Sequence, residues 1–213
     1  MTSEPKKPDP IAEYLTKVFE AALNGGDVDS ISDKKAMEAV MEIRRNARPY
    51  EFPKKPELQN LSDEDLEMAA MDWITSRISD WSSPAKELLS LPRPCRHIYS
   101  CLSVIHEVGN GGFNQLFYNS MLPIAEMAIE GFLALDSPKL SCLMKSAVSL
   151  YQNNKHILDS YNDGTIKGFS ASYNEKIFDE LDKIFIEESV NIACYIKLNA
   201  ECFTDDLSDK RHL

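Results

Sequence analysis

Apolar residues recur along this chain three and four positions apart, the period of an amphipathic helix, and almost nowhere alternate as a half-buried strand would. Ile11, Leu15, Val18, Phe19, Ala22 and Leu23 make the first such face. Asp9-Pro10 opens it with an N-cap and a proline at the first helical position, and Asn24-Gly25-Gly26 closes it. Ala36, Met37, Val40 and Met41, capped by Ser32, make a second, so residues 10–47 read as a helical hairpin behind a flexible tail, 1–9. Pro49, Pro53 and Pro56 then turn 48–61 into a proline-rich linker lying over the surface.

The pattern resumes at Ser62, which caps a helix whose first turn holds Asp63, Glu64 and Asp65, where the helix dipole favours acids. Leu66, Ala69, Ala70, Trp73, Ile74 and Trp81 form its apolar face. Arg77 falls within that face and is expected to stack on indole or pair with a carboxylate. Ser83-Pro84 starts a short helix that Pro92 stops, and Pro94 opens the next, with Ile98, Tyr99, Leu102, Ile105 and Val108 at helical spacing. Gly109-Asn110-Gly111-Gly112 breaks it; Phe113 to Asn119 is a short helix, Leu122 to Leu135 another, and Ser137-Pro138 begins one running to about Gln152. Polar residues 153–172 read as the longest loop. A helix from Asn174 carries Ile177, Phe178, Leu181, Ile184 and Phe185, and a last one spans about Ser189 to Glu201. The prediction is an all-α, compact multi-helix domain of about eight to ten helices. Its helical core is 62–203, with a frayed tail over 204–213.

Composition narrows the class. No run of about 18 apolar residues exists, which excludes a membrane-spanning helix, and the first ten residues lack the apolar stretch of a secretory signal. Five cysteines without a Cys-x-x-Cys spacing read as reduced core thiols in a cytoplasm. A net charge of −11 argues against direct contact with nucleic acid or an anionic membrane. The charge is uneven: residues 61–94 carry 3 basic and 7 acidic side chains, residues 173–213 carry 5 and 10, and the stretch between them is nearly neutral.

Candidate chemistry is sparse. Cys95, His97, Cys101 and His106 lie close in sequence but match no zinc spacing. Gly109-Asn-Gly-Gly112 lacks the Gly-Lys-Ser/Thr ending of a phosphate loop and reads as a tight passage from one helix to the next. No catalytic residue, metal ligand or cofactor is expected. Two acidic strips remain as partner-binding candidates: Asp63, Glu64, Asp65 and Asp72 on one helix, and Glu175, Asp179 and Asp182 on another, with Lys183 the helical partner expected for Asp179.

Residues 110–120, Asn-Gly-Gly-Phe-Asn-Gln-Leu-Phe-Tyr-Asn-Ser, resemble the Asn-Gly-Gly-Phe-x-Gln-x-Phe-x-Asn-Ser signature of the bacterial DNA mimic protein family, most of whose members are catalogued as a domain of unknown function. The resemblance reaches from Glu87-Leu88-Leu89 to Tyr195-Ile-Lys-Leu-Asn199, within about 60–203. It implies an all-helical domain without known catalysis and, for the family's namesake, an acidic surface that occupies DNA-binding proteins. The signature residues Asn110, Gly111, Gly112, Phe113, Gln115, Phe117 and Asn119 are expected to define the fold. Phe113 and Phe117 would anchor in the core, and the amides of Gln115 and Asn119 would satisfy nearby backbone groups. The leading expectation is a non-enzymatic acidic module that binds a basic DNA-binding or other protein. The alternatives are an immunity or adaptor protein neutralising one partner, and an enzyme using the Cys95–His106 region.

Overall fold

The computed structural model describes residues 52–54, 56–163 and 165–203, and all description below is of these. The hairpin expected over 10–47 and the tails 1–9 and 204–213 lie outside them. The described residues form eight α-helices and no strand: α1 Asp63–Thr75, α2 Pro84–Leu88, α3 Arg93–Tyr118, α4 Leu122–Ala134, α5 Pro138–Tyr161, α6 Ile166–Ser172, α7 Asp179–Glu187 and α8 Ile192–Leu198. None is long and apolar enough to cross a membrane.

Helices α3, α4 and α5 pack in sequence as the centre of the fold. Short connections force them antiparallel, and each turn is closed by a residue in the left-handed region, Ser120 (φ 57°) and Asp136 (φ 55°). Met121 N–H reaches back to Leu116 O and Ser137 N–H to Phe132 O, so the last carbonyls of α3 and α4 are satisfied without a glycine. The α7 helix packs on α3, and α8 on α1. Aromatic rings knit these layers: Phe113 meets Phe185 edge-on at 5.2 Å, and Phe117 stacks on Tyr151 at 4.4 Å. Phe113 and Phe117 are buried, as the signature implies.

Several boundaries differ from expectation. The α1 helix stops at Thr75, because Thr75 Oγ1, Ser76 Oγ and Arg77 Nη1 all bond to carbonyls of its last turn. Trp81 therefore lies beyond the helix, while Arg77 sits 3.6 Å over the Trp73 ring. The α5 helix runs nine residues past Gln152: Lys155 pairs with Asp159 at 2.5 Å, and Leu158 reaches the core. What reads as a long loop is the end of α5, a short turn and the whole of α6. At the cap of α6 Asp163 Oδ1 accepts from Thr165 N–H, and Thr165 Oγ1 accepts from Gly168 N–H at 3.0 Å. The helix expected from Asn174 begins at Asp179 instead. Tyr173–Glu175 is a single 3₁₀ turn, and Lys176 (φ 53°) takes a left-handed conformation that breaks it from α7. Near the proline-rich segment, Phe52 stacks on Phe203 at 4.1 Å and Leu58 is buried.

Candidate functional site

The signature segment is a kink inside α3. Gly111 (φ −157°, ψ 26°) and Gly112 (φ 69°, ψ −176°) leave helical geometry, and the chain re-enters a helix at Phe113. A helix start leaves N–H groups without partners. Here Asp182, 69 residues away on α7, supplies the cap: its Oδ1 accepts from Phe113 N–H at 2.8 Å. A Cβ on Gly112 would lie 2.5 Å from Asp182 Oδ2, so this φ and this close approach both require glycine. Tyr173 donates to Gly111 O at 2.7 Å, and the buried Asn114 amide donates to Ser172 Oγ at 2.7 Å.

Asp182 is therefore a correction to the second acidic strip. It is half-buried, burial raises its pKa, and its carboxylate serves the junction. The Gln115 and Asn119 amides also depart from expectation. Both donate to the same oxygen, Oε2 of Glu107, at 3.0 and 2.8 Å, and Asn119 is exposed. They tie the two halves of the kinked helix through a carboxylate, not through the backbone. Glu107 and Asn114 carry roles that the sequence reading did not assign.

In the Cys95–His106 region, Cys95, His97 and Cys101 are buried and His106 is exposed. Cys95 and Cys101 are buried, and burial pushes both thiols well above their ordinary pKa, the opposite of an activated nucleophile. Buried His97 binds Tyr195 Oη through Nδ1 at 2.9 Å. Burial, with Arg93 and Arg96 nearby, lowers its pKa to about 4. Burial likewise pushes the Tyr195 phenol up to about 12. His106 is exposed and faces a different surface. Cys142 and Cys194 are exposed, so the expectation of five core thiols holds for Cys95, Cys101 and Cys202 only. Among the described residues, no three His, Cys, Asp or Glu side chains converge as a metal site.

The acidic candidates sort by position. Asp63, Glu64, Asp65 and Asp72 are exposed on α1. Ser62 Oγ accepts from Asp65 N–H at 3.1 Å and donates to its carboxylate at 2.7 Å. Asp63 pairs with Lys197 of α8 at 3.1 Å. On the other side Glu175 accepts from Tyr161 Oη, and Asp179 is exposed. Lys183 pairs with Glu180 at 2.8 Å and not, as expected, with Asp179.

Glu67, which no sequence motif singles out, joins α1 to a concave surface. Glu67 is half-buried, and burial, with Asp63 and Glu64 close by, raises its pKa. It lines a groove of about 350 Å³ together with Leu102, Ile105 and His106 of α3, Ile186 of α7 and Val190 of the α7–α8 turn. A faint signal was present: Glu67 stands three and four residues after Glu64 and Asp63, a like-charge cluster with no base beside it.

Comparison with known proteins comes down to one finding. The family model described as DMP19-like protein matches residues 89–201, more than half of the chain. No curated protein and no solved structure matches it. The matched span includes the kink, Glu107, Asn114 and Asp182, and begins after α1.

Proposed function

The chain belongs to the DMP19-like protein family, and from that membership we propose that it is a non-catalytic, protein-binding module that occupies a basic DNA-binding protein in place of DNA. The observation that carries the reading is the first turn of α1, where Asp63, Glu64 and Asp65 are all exposed at the end of a helix. With Asp72, Glu175 and Asp179 they offer six exposed carboxylates. DNA-binding proteins commonly engage about six to ten phosphates, so six acids sit at the lower end of what such a surface replaces. Cys95, Cys101, Cys142 and Cys194 are free thiols, which fits a reducing cytoplasm.

A second reading, an adaptor or immunity protein for one specific partner, draws on the bases set among the acids. Lys197 on Asp63, Lys183 on Glu180, Lys139 on Glu188 and Arg93 on Glu130 divide the negative surface into patches. Patchwork charge suits recognition of one shaped surface better than imitation of a uniform polyanion. Immobilised chain exposed to a lysate of its own cell separates the two. Mimicry expects a retained protein that duplex DNA releases and that moderate salt weakens steeply. A retained protein that excess duplex leaves in place contradicts mimicry and supports the specific-partner reading.

A further inference from the structure

The groove beside α1 has features that an acidic surface alone does not need. Its floor is apolar, with Leu102, Phe185 and Ile192 buried beneath it. Its wall leaves Ile186 65% exposed, an isoleucine held in water. Its volume, about 350 Å³, is far more than the roughly 30 Å³ that one water occupies. The rim is acidic. Glu67 and Glu188 line it, and Glu64 and Asp63 stand close to Glu67. Lys139 pairs with Glu188 and Lys197 with Asp63, but among the described residues no basic side chain is ion-paired with Glu64 or Glu67. His106, also on the lining, is the remaining titratable group there. An apolar hollow under a net-negative rim is complementary to an apolar side chain flanked by lysine or arginine.

We propose that this groove seats an apolar side chain carried on a basic, amphipathic segment of the partner protein. The inference rests on the protein-binding reading above and adds to it a shaped centre. Charge on α1 brings the partner in, and the groove fixes its register, because only a segment with an apolar residue between basic ones satisfies both. A DNA duplex has no such residue, so the groove is where this surface departs from DNA.

The test uses the full chain, isotope-labelled for amide NMR, and two synthetic helical peptides of equal positive charge, one with a central leucine and one with alanine there. The leucine peptide is expected to bind about tenfold more tightly, the scale of burying one such side chain. Its shifts should centre on Ile105, Gly109, Ile186 and Val190. Gly109 lines the groove, and a Cβ there meets nothing within 4 Å, so Gly109→Phe plugs the hollow without disturbing the backbone. This variant should bring the leucine peptide down to the alanine level and leave the alanine peptide unchanged. Glu67→Gln should weaken both. Equal affinity for the two peptides, with shifts confined to the acids, overturns the groove and leaves the electrostatic reading standing. Failure of both peptides to bind at low salt overturns both. If Gly109→Phe instead turns a dimer into a monomer, a second copy is the occupant and the proposal is wrong.

Discussion

Alanine at position 112 should damage this protein far more than alanine three residues earlier in the same helix. Gly112 has φ 69° and ψ −176°, a region closed to side chains, and forcing alanine into it costs about 1–3 kcal/mol. The new Cβ would also stand 2.5 Å from Asp182 Oδ2 and push the carboxylate off Phe113 N–H, leaving a donor unpaired at about 1–3 kcal/mol more. The expected loss is about 2–6 kcal/mol, or a fall in Tm of roughly 5–20 °C for a chain of this size. At Gly109 no atom lies within 4 Å of an added Cβ, and the helix continues through it, so Gly109→Ala should stabilise by about 0.5–1 kcal/mol. Urea melts followed by far-UV circular dichroism measure both. A double-mutant cycle sharpens the cause: Asp182→Ala should cost about 1–3 kcal/mol in the native background but little once Gly112 is alanine, since the bond is already lost. If Gly112→Ala falls within about 1 kcal/mol of the native chain, or if Asp182→Ala costs the same in both backgrounds, the capping argument fails.

Other outcomes follow from the same contacts. Glu107→Ala should destabilise more than Gln115→Ala or Asn119→Ala, because it strands both amides; urea midpoints of the three variants check the order, and exposed Asn119 should matter least. His97 contributes a pH dependence. Its folded pKa, about 4, lies below the ordinary 6.5, so the unfolded imidazole takes up a proton that the folded one refuses. That contribution is whole above pH 6.5 and is lost as pH falls toward 4, by about 3 kcal/mol when the window is crossed. His97→Gln should flatten urea stability over that window; an unchanged slope contradicts the assignment. A thiol reagent should modify Cys142 and Cys194 in the native chain, and Cys95, Cys101 and Cys202 only on unfolding.

The sequence is most legible where a local cause suffices. Ser62 before three acids is a cap at any depth in a fold, and it caps α1 as read. Phe113 and Phe117, four apart, had to share a face, and they share the core. Reading fails where the partner is remote. Nothing near Asp182 marks it as the cap of a helix 69 residues upstream, and its spacing is that of a surface acid. Asn153 and Asn154 suggest a loop, yet Asn154 Nδ2 bonds back to Leu150 O within α5. Beyond the like-charge cluster at Glu67 the groove leaves no mark in the sequence, because Glu67, Ile105 and Ile186 lie on three helices that only packing brings together. Conversely, His106 is a sequence neighbour of the buried Cys95, His97 and Cys101 that the helix sends to another surface.

Under the proposed mimicry, carboxylates of this chain stand where phosphates would. The direct measurement is fluorescence anisotropy of a labelled duplex bound to the purified partner, titrated with this protein. Mimicry predicts that the chain releases the duplex. It also predicts that a variant with Asp63→Asn, Glu64→Gln, Asp65→Asn and Asp72→Asn needs at least about tenfold more protein to do so, a modest share of what several lost charge contacts are worth. Duplex that stays bound while the chain joins the same complex would contradict it.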